Sequence, residues 1–174
     1  METAVRAPIS ERINIRLIVF IGVMLFLLGA PAYIYLNEVW TGGVHVLPDG
    51  TREVNLKAMS DFEMDQRNAT IDDVPPQWRE LDGQRVLLVG EIAPGRVSRG
   101  KSDNFQLVYS VAKCCYTTAP KVQHFVDSRV VDGKEVMLYP GIVRVVGTLR
   151  VKVIHEEGKV SSVYQLDVES VEPA

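Results

Sequence analysis

Two adjacent cysteines, Cys114 and Cys115, are the only cysteines in the chain. They stand in FQLVYSVAKCCYTTAP, residues 105–120, and His124 follows across a predicted turn. Thiolate and imidazole groups are ligands of copper and zinc, so Cys114, Cys115 and His124 are candidate ligands of a soft metal ion. A thiol-dependent metal carrier or redox protein is therefore one functional hypothesis.

A structural role for the two cysteines competes with this hypothesis. Adjacent Cα atoms lie ~3.8 Å apart, below the ~4.4–6.8 Å of ordinary disulfides, so a bond between neighbours would be strained and easily reduced. Neighbouring side chains of a strand also point to opposite faces, so both thiols reach one ion only if the chain turns there. The C-x-x-C spacing of a strong zinc motif is absent. We expect the thiols to diverge, with at least one packed as a small apolar group. If the strand instead ends near Lys113, both thiols could reach one metal ion.

Other candidates for catalysis are weak. No serine lies in a G-x-S-x-G elbow. The acidic pairs Asp72-Asp73 and Glu156-Glu157 fall in predicted loops, whereas a catalytic carboxylate pair needs burial to shift its pKa values. We therefore expect a protein without catalytic activity and without a cofactor, the alternative being copper or zinc at the cysteines. The net charge of −3, without a cluster of Lys and Arg, argues against nucleic acid as a partner.

An uncharged apolar segment spans residues 17–36. As a helix it would cover roughly 30 Å, the thickness of the hydrocarbon core of a membrane. Arg6, Arg12 and Arg16 precede it, so the positive-inside rule predicts a cytoplasmic N-terminus at residues 1–16 and an extracytoplasmic, periplasmic remainder. The alternative is a signal peptide cleaved at Ala30-Pro31-Ala32; the apolar run extends past that site, which favours an uncleaved single-pass anchor.

The extracytoplasmic part divides into a hairpin and linker region, residues 37–80, and a β domain, residues 81–174. Pro48-Asp49-Gly50 predicts the hairpin turn, 56–66 a short helix, and Trp78 a lid on the core. Five strands are predicted from the period of apolar residues: 85–92, 105–111, 123–131, 142–154 and 160–171. About five strands, with a long closing hairpin, favour a small OB-like Greek-key barrel; a β-sandwich is the alternative.

The last two predicted strands indicate which of their residues face the core. One phase is apolar and is expected to be buried, and it includes Val145, Leu149, Val151, Tyr164 and Leu166. The other phase carries bases on one strand and acids on the next, which could pair across the hairpin and help to set its register.

Several stretches in order resemble an uncharacterised bacterial family of membrane-anchored envelope proteins, a domain of unknown function. They are DVPPQWRELDGQRVLLVGEI, then FQLVYSVAKCCYTTAP, then VRVVGTLRV and VYQLDVESVEP, over roughly residues 70–172. The resemblance implies an OB-like domain with a Cys-Cys motif in the envelope, since members of the family are single-pass or lipoprotein-anchored. The family has no established activity. We expect a binding or assembly module, accessory to a membrane complex, whose partners are the membrane and a membrane or envelope protein.

Overall fold

The computed structural model describes residues 15–94, 100–115 and 120–174, with the side chains of 37–41, 115 and 132 left undescribed. The chain divides into two compact units, Met1–Gly42 and Gly43–Ala174. The predicted cytoplasmic N-terminus lies almost wholly outside the described residues.

The first unit contains one long helix, α1, Ile15–Thr41. Every described side chain from 15 to 36 is exposed, although the segment is almost entirely apolar. Its stretch Ile15–Leu36 is long and apolar enough to cross a membrane or to serve as a signal sequence. An apolar surface on all sides is typical of a helix surrounded by lipid.

The second unit is mainly β. Its strands are β1 Val44–Val46, β2 Arg52–Val54, β3 Arg85–Ile92, β4 Lys101–Ser102, β5 Asn104–Val108, β6 Val126–Val130, β7 Val136–Met137, β8 Ile142–Glu156 and β9 Lys159–Pro173. Among the described residues, three short α-helices lie between them: α2 Leu56–Ser60, α3 Pro76–Arg79 and α4 Val111–Cys115. The described short 3-10 helices are Ile71–Asp73, Val122–His124 and Val131–Gly133.

Seven strands form one mixed sheet in the order β1-β2-β3-β5-β6-β9-β8. The strand pairs β2–β3 and β6–β9 are parallel, and the other pairs are antiparallel. Strand β3 also pairs with β8, so successive pairings lead from β3 through β5, β6, β9 and β8 back to β3. Strands β4 and β7 form a separate pair that the sequence did not predict.

The main core lies inside this sheet and beneath the linker. All five residues predicted from the apolar phase of the last two strands are at most 7% exposed, which confirms the phase assignment. Trp78 of α3 is also buried in this core, as the sequence predicted. The hydroxyl of Tyr164 donates to the carbonyl of Met59 at 3.1 Å, so the linker is bonded to the core strand β9.

Two glycines permit close backbone approach. A Cβ at Gly90 would contact the carbonyl oxygen of Val108, and one at Gly147 would contact that of Asp167. The β3–β8 ladder runs through Gly90 without a register shift. Between β8 and β9 the register shifts at Val146/Gly147, Val151/Ile154 and Ile154/His155.

Some predicted boundaries are also wrong. The strand predicted over 105–111 ends at Val108, the strand over 123–131 begins at Val126, and the helix over 56–66 ends at Ser60. After Val108 the chain turns into α4, where the N–H of Val111 donates to the carboxylate of Glu91 on β3 and the N–H of Cys114 donates to the carbonyl of Ser110. These hydrogen bonds override the alternating pattern.

Candidate functional site

Helix α4 places Cys114 in the interior. The carboxylate of Glu91, on β3, accepts a hydrogen bond from the backbone N–H of Val111 at 2.6 Å, and the N–H of Cys114 bonds to the carbonyl of Ser110 at 2.9 Å. Cys114 is fully buried and packs in a small apolar cluster with Ala93 and Val108. The expectation that at least one cysteine is a packed apolar group is confirmed. The unbroken strand that would have separated the thiols is wrong, since the chain is helical at Cys114 and Cys115.

The side chain of His124 lies next to that of Cys114. Its Nδ1 atom lies 3.8 Å from Sγ of Cys114. The pairing of β5 with β6 brings the two segments together: Phe105 lies opposite Ser128 and Leu107 opposite Val126.

The short 3-10 helix that carries His124 is held by the linker. The buried side chain of Gln123 donates to the carbonyl of Phe62 at 2.8 Å and accepts from Gln66 at 3.0 Å. The same Gln66 accepts from the N–H of Val122 at 2.9 Å. These bonds hold the backbone of Val122 and the side chain of Gln123, the two residues before His124, and so restrict where the imidazole can lie.

The electrostatic surroundings favour a neutral imidazole. Burial lowers the pKa of His124 from its usual 6.5, and the nearby charge of Lys121 lowers it further, whereas Asp61 and Glu63 oppose the shift. The ammonium of Lys121 is itself paired with both carboxylate oxygens of Glu63 at 2.8 Å. A neutral imidazole can ligate a metal ion, since only the unprotonated nitrogen has a lone pair to give.

Of the three metal ligands predicted from the sequence, the structure thus brings Cys114 and His124 together. The side chain of Cys115 lies outside those described. Across the described part of the chain, no group of three or more His, Cys, Asp and Glu side chains converges as a metal centre would.

A second feature, which we call the polar groove, lies on the outer face of β5, β6 and β9. It is a cavity of about 500 Å³. Two rows of cross-strand neighbours run across it. They are Asn104, Arg129 and Asp167 in one row, and Gln106, Asp127 and Gln165 in the other. Strand periodicity places these side chains on the face opposite the core, so their polar groups line the cavity together.

The groove carries charges of both signs. Three carboxylates line it, from Asp127, Glu156 and Asp167, with the guanidinium of Arg129 among them. Gln106 donates to Asp127 at 2.8 Å, and Arg150 of β8 pairs with Asp167 at 3.3 Å.

Arg129 also lines a neighbouring cavity of about 450 Å³, together with Asp167 and Asp103. Among the ion pairs of the described residues, none includes Arg129. Its guanidinium therefore lies between two cavities as a candidate anchor for a ligand.

Comparisons with known proteins give one match to report. No protein-family model matches the chain, and no curated protein matches it. Among solved structures, the chain is similar to a DUF3299 family protein from Pseudomonas aeruginosa PAO1, with 25% sequence identity and a TM-score of 0.45. The similarity covers 68% of this chain and 78% of that one. That neighbour belongs to an uncharacterised family, and the OB-like domain and Cys-Cys motif implied by the sequence resemblance remain predictions.

Proposed function

We propose that this protein is a membrane-anchored, extracytoplasmic binding or assembly module without catalytic activity, accessory to a membrane complex. The observation that carries the proposal is the polar groove, a concave surface in which charged and amide side chains from three strands converge. Converging polar groups in a cavity fix the orientation of a bound ligand and give specificity.

The fold within this proposal is an OB-like Greek-key barrel over residues 81–174. Its support is the closed path of pairings through β3, β5, β6, β9 and β8, with one parallel pair, β6–β9, among antiparallel ones. Five strands in such a path are expected of a small Greek-key barrel, whose outer face commonly binds ligands.

The membrane location is supported by α1 and by the charges around it. Its apolar stretch, Ile15–Leu36, is long enough to span a bilayer; Arg6 and Arg12 precede this stretch, and Arg16 is its second residue. Cleavage after Ala32 would release the β unit instead, so the mature protein's mass distinguishes an anchor from a signal peptide.

We expect an alkaline phosphatase reporter fused after Ala174 to be active in the host, and a cytoplasm-dependent fluorescent reporter at the same position to be inactive. The physical reason is the excess of positive charge on the N-terminal side of the helix. The opposite pattern of reporter activities would reverse the topology. Recovery of the fusion from the membrane fraction at full mass would show that the segment is not removed.

The lining of the groove favours a protein partner over nucleic acid. Three carboxylates and one guanidinium repel a polyphosphate more than they attract it. Phe105, the aromatic residue that lines the groove, is buried and offers no face on which a base could stack. A surface of mixed charges and amides instead suits the polar side chains of another envelope protein.

Reversing the charge at the centre of the groove is expected to abolish partner binding. We expect Arg129→Glu to reduce the recovery of a co-purified envelope protein from detergent-solubilised membranes by about tenfold or more, because an interfacial arginine often contributes over ~2 kcal/mol. Arg144→Glu is the matched control, since Arg144 is an exposed arginine on β8 that does not line the groove. Equal recovery with both variants would contradict the role of the groove.

A further inference from the structure

Within the polar groove, we propose that the partner protein contributes an extended segment with a basic residue facing Asp127 and an acidic residue, two positions away, facing Arg129. This partner chemistry rests on the proposed function, because it requires that the groove binds a protein. The charges and hydrogen-bonding atoms that the fold leaves unmatched in the groove determine what the partner must supply.

Strand β6 carries two charged side chains in the groove, and neither forms an ion pair with another described residue. Asp127 accepts a hydrogen bond at 2.8 Å, but its donor is the uncharged amide of Gln106. Arg129 lies between the two cavities without an ionic partner among the described side chains. A partner can therefore match one charge of each sign along this strand.

The row that contains Asp127 offers hydrogen-bond acceptors. The amide nitrogen of Gln106 donates to Asp127, and that of Gln165 donates to the carbonyl of Lys152 at 3.3 Å and to Ser162 at 2.7 Å. Because a carboxylate and a backbone carbonyl can only accept, these contacts identify which end of each amide is the nitrogen. The amide oxygens of Gln106 and Gln165 accept no hydrogen bond from the described residues.

An ammonium or guanidinium group complements this row. Asp127 lies directly between Gln106 and Gln165 in the register of the sheet. Cross-strand neighbours have Cβ atoms about 4.5–5.5 Å apart, so one cation can reach the carboxylate and a flanking amide oxygen. Lysine and arginine carry several N–H donors and no acceptor, and their hydrogen bonds to a carboxylate are strengthened by charge.

The neighbouring row has a donor at its centre. Arg129 lies between Asn104 and Asp167 in the register. Asp167 is already paired with Arg150 at 3.3 Å, and the amide nitrogen of Asn104 donates to Asp103 at 3.0 Å. The planar guanidinium of Arg129 matches a carboxylate through two parallel N–H donors, so an acidic side chain of the partner would supply its missing acceptor.

The distance between the two rows matches an extended polypeptide. Asp127 and Arg129 are two positions apart on one face of β6, which corresponds to roughly 6.4–6.8 Å along the strand. Residues i and i+2 of an extended partner segment share one face at the same spacing, whereas helical neighbours are about 5–6 Å apart. A base and an acid at positions i and i+2 therefore face both charges of β6 at once.

The test exchanges the two charges in the full chain. Asp127→Arg combined with Arg129→Asp keeps the net charge and reverses its order, so like charges would face each other across the interface. We expect the recovery of the co-purified envelope protein from detergent-solubilised membranes to fall by about tenfold or more. Asp127→Asn, which removes one charge and keeps the shape of the side chain, is expected to lower the recovery in the same direction.

The matched control is a charge exchange outside the groove. Arg144 and Glu172 are exposed cross-strand neighbours of β8 and β9, and neither lines the groove. We expect Arg144→Glu combined with Glu172→Arg to leave the recovery unchanged. Thermal melting, expected to match the wild type for both exchanges, separates lost binding from lost folding.

Photo-crosslinking identifies the segment of the partner. A photoreactive residue at Ser161, which lines the groove outside the two charged rows, gives a crosslinked peptide for mass spectrometry. We expect this peptide to contain an acidic and a basic residue two positions apart. Exchanging those two residues in the partner is expected to restore the recovery of the Asp127→Arg, Arg129→Asp chain to the wild-type level.

Three outcomes would overturn this partner chemistry and leave the groove as a binding site: recovery that the exchange on β6 does not change, a crosslinked segment without such a pair, or a partner exchange that restores nothing. Failure of the proposed function has a different result, since the wild type would then recover no envelope protein and give no crosslink from Ser161. In that case the proposed function and the partner chemistry are both wrong.

Discussion

Replacing Trp78 with alanine is expected to lower the free energy of unfolding by about 3–5 kcal/mol, the range for removing a large buried aromatic side chain. The indole is 2% exposed and packs in the main core from the single turn of α3, Pro76–Arg79. A Cβ built on Gly43 would lie 3.5 Å from the ring, so the side chain also packs against the start of the hairpin.

Urea unfolding followed by far-ultraviolet circular dichroism would measure this effect on the full chain in detergent. Gln77→Ala is the matched control, because Gln77 occupies the same helical turn with its side chain exposed, and we expect a change under about 0.5 kcal/mol. A Trp78→Ala variant as stable as the control would show that the linker does not contribute to the core.

Truncation of Leu149 to alanine is the second change with a large expected effect, a loss of about 2–5 kcal/mol in the free energy of unfolding. Leu149 is fully buried in the middle of β8, opposite Leu166 of β9. Its neighbour Arg150 points outward and pairs with Asp167 at 3.3 Å, with both side chains about half exposed. An exposed ion pair adds little, so Arg150→Ala should cost under about 0.5 kcal/mol. The same urea experiment measures the free energy of unfolding of both variants, and equal losses would contradict the assignment of core and solvent faces.

The long closing hairpin was predictable because one face of each strand is uniformly apolar. Apolar residues at every second position determine which side faces the core, and the buried Leu149 and Tyr164 follow that rule. The turn that carries Trp78 was predicted from the two prolines, since Pro75 is the N-cap of α3 and Pro76 its first residue.

The surroundings of Cys114 were only partly predictable. The apolar alternation of Phe105 and Leu107 continues through Tyr109, and it gives no sign that the strand ends at Val108. What turns the chain is a contact remote in sequence, from the carboxylate of Glu91 to the N–H of Val111. A pattern within one segment cannot reveal a hydrogen bond to another strand.

The polar groove was missed because it depends on strand order. Gln165 and Asp167 were predicted to point outward, and so were the bases of β8. The convergence of Gln165 and Asp167 with Arg129 and Asp127 requires the parallel pairing of β6 with β9. These two strands are separated by β7 and β8 in the chain. Periodicity predicts the face on which a side chain lies, but not which strand lies beside it.

The central claim is that the groove binds a partner outside the cytoplasm. Its most direct measurement is photo-crosslinking in intact cells, with a photoreactive residue placed at Gln165 in the groove or, as the control, at Arg144 on β8. We predict a discrete crosslinked product with an envelope protein from Gln165 and not from Arg144, and its loss in the Arg129→Glu variant. Crosslinks from Arg144 alone, or crosslinks from Gln165 that survive Arg129→Glu unchanged, would contradict the account.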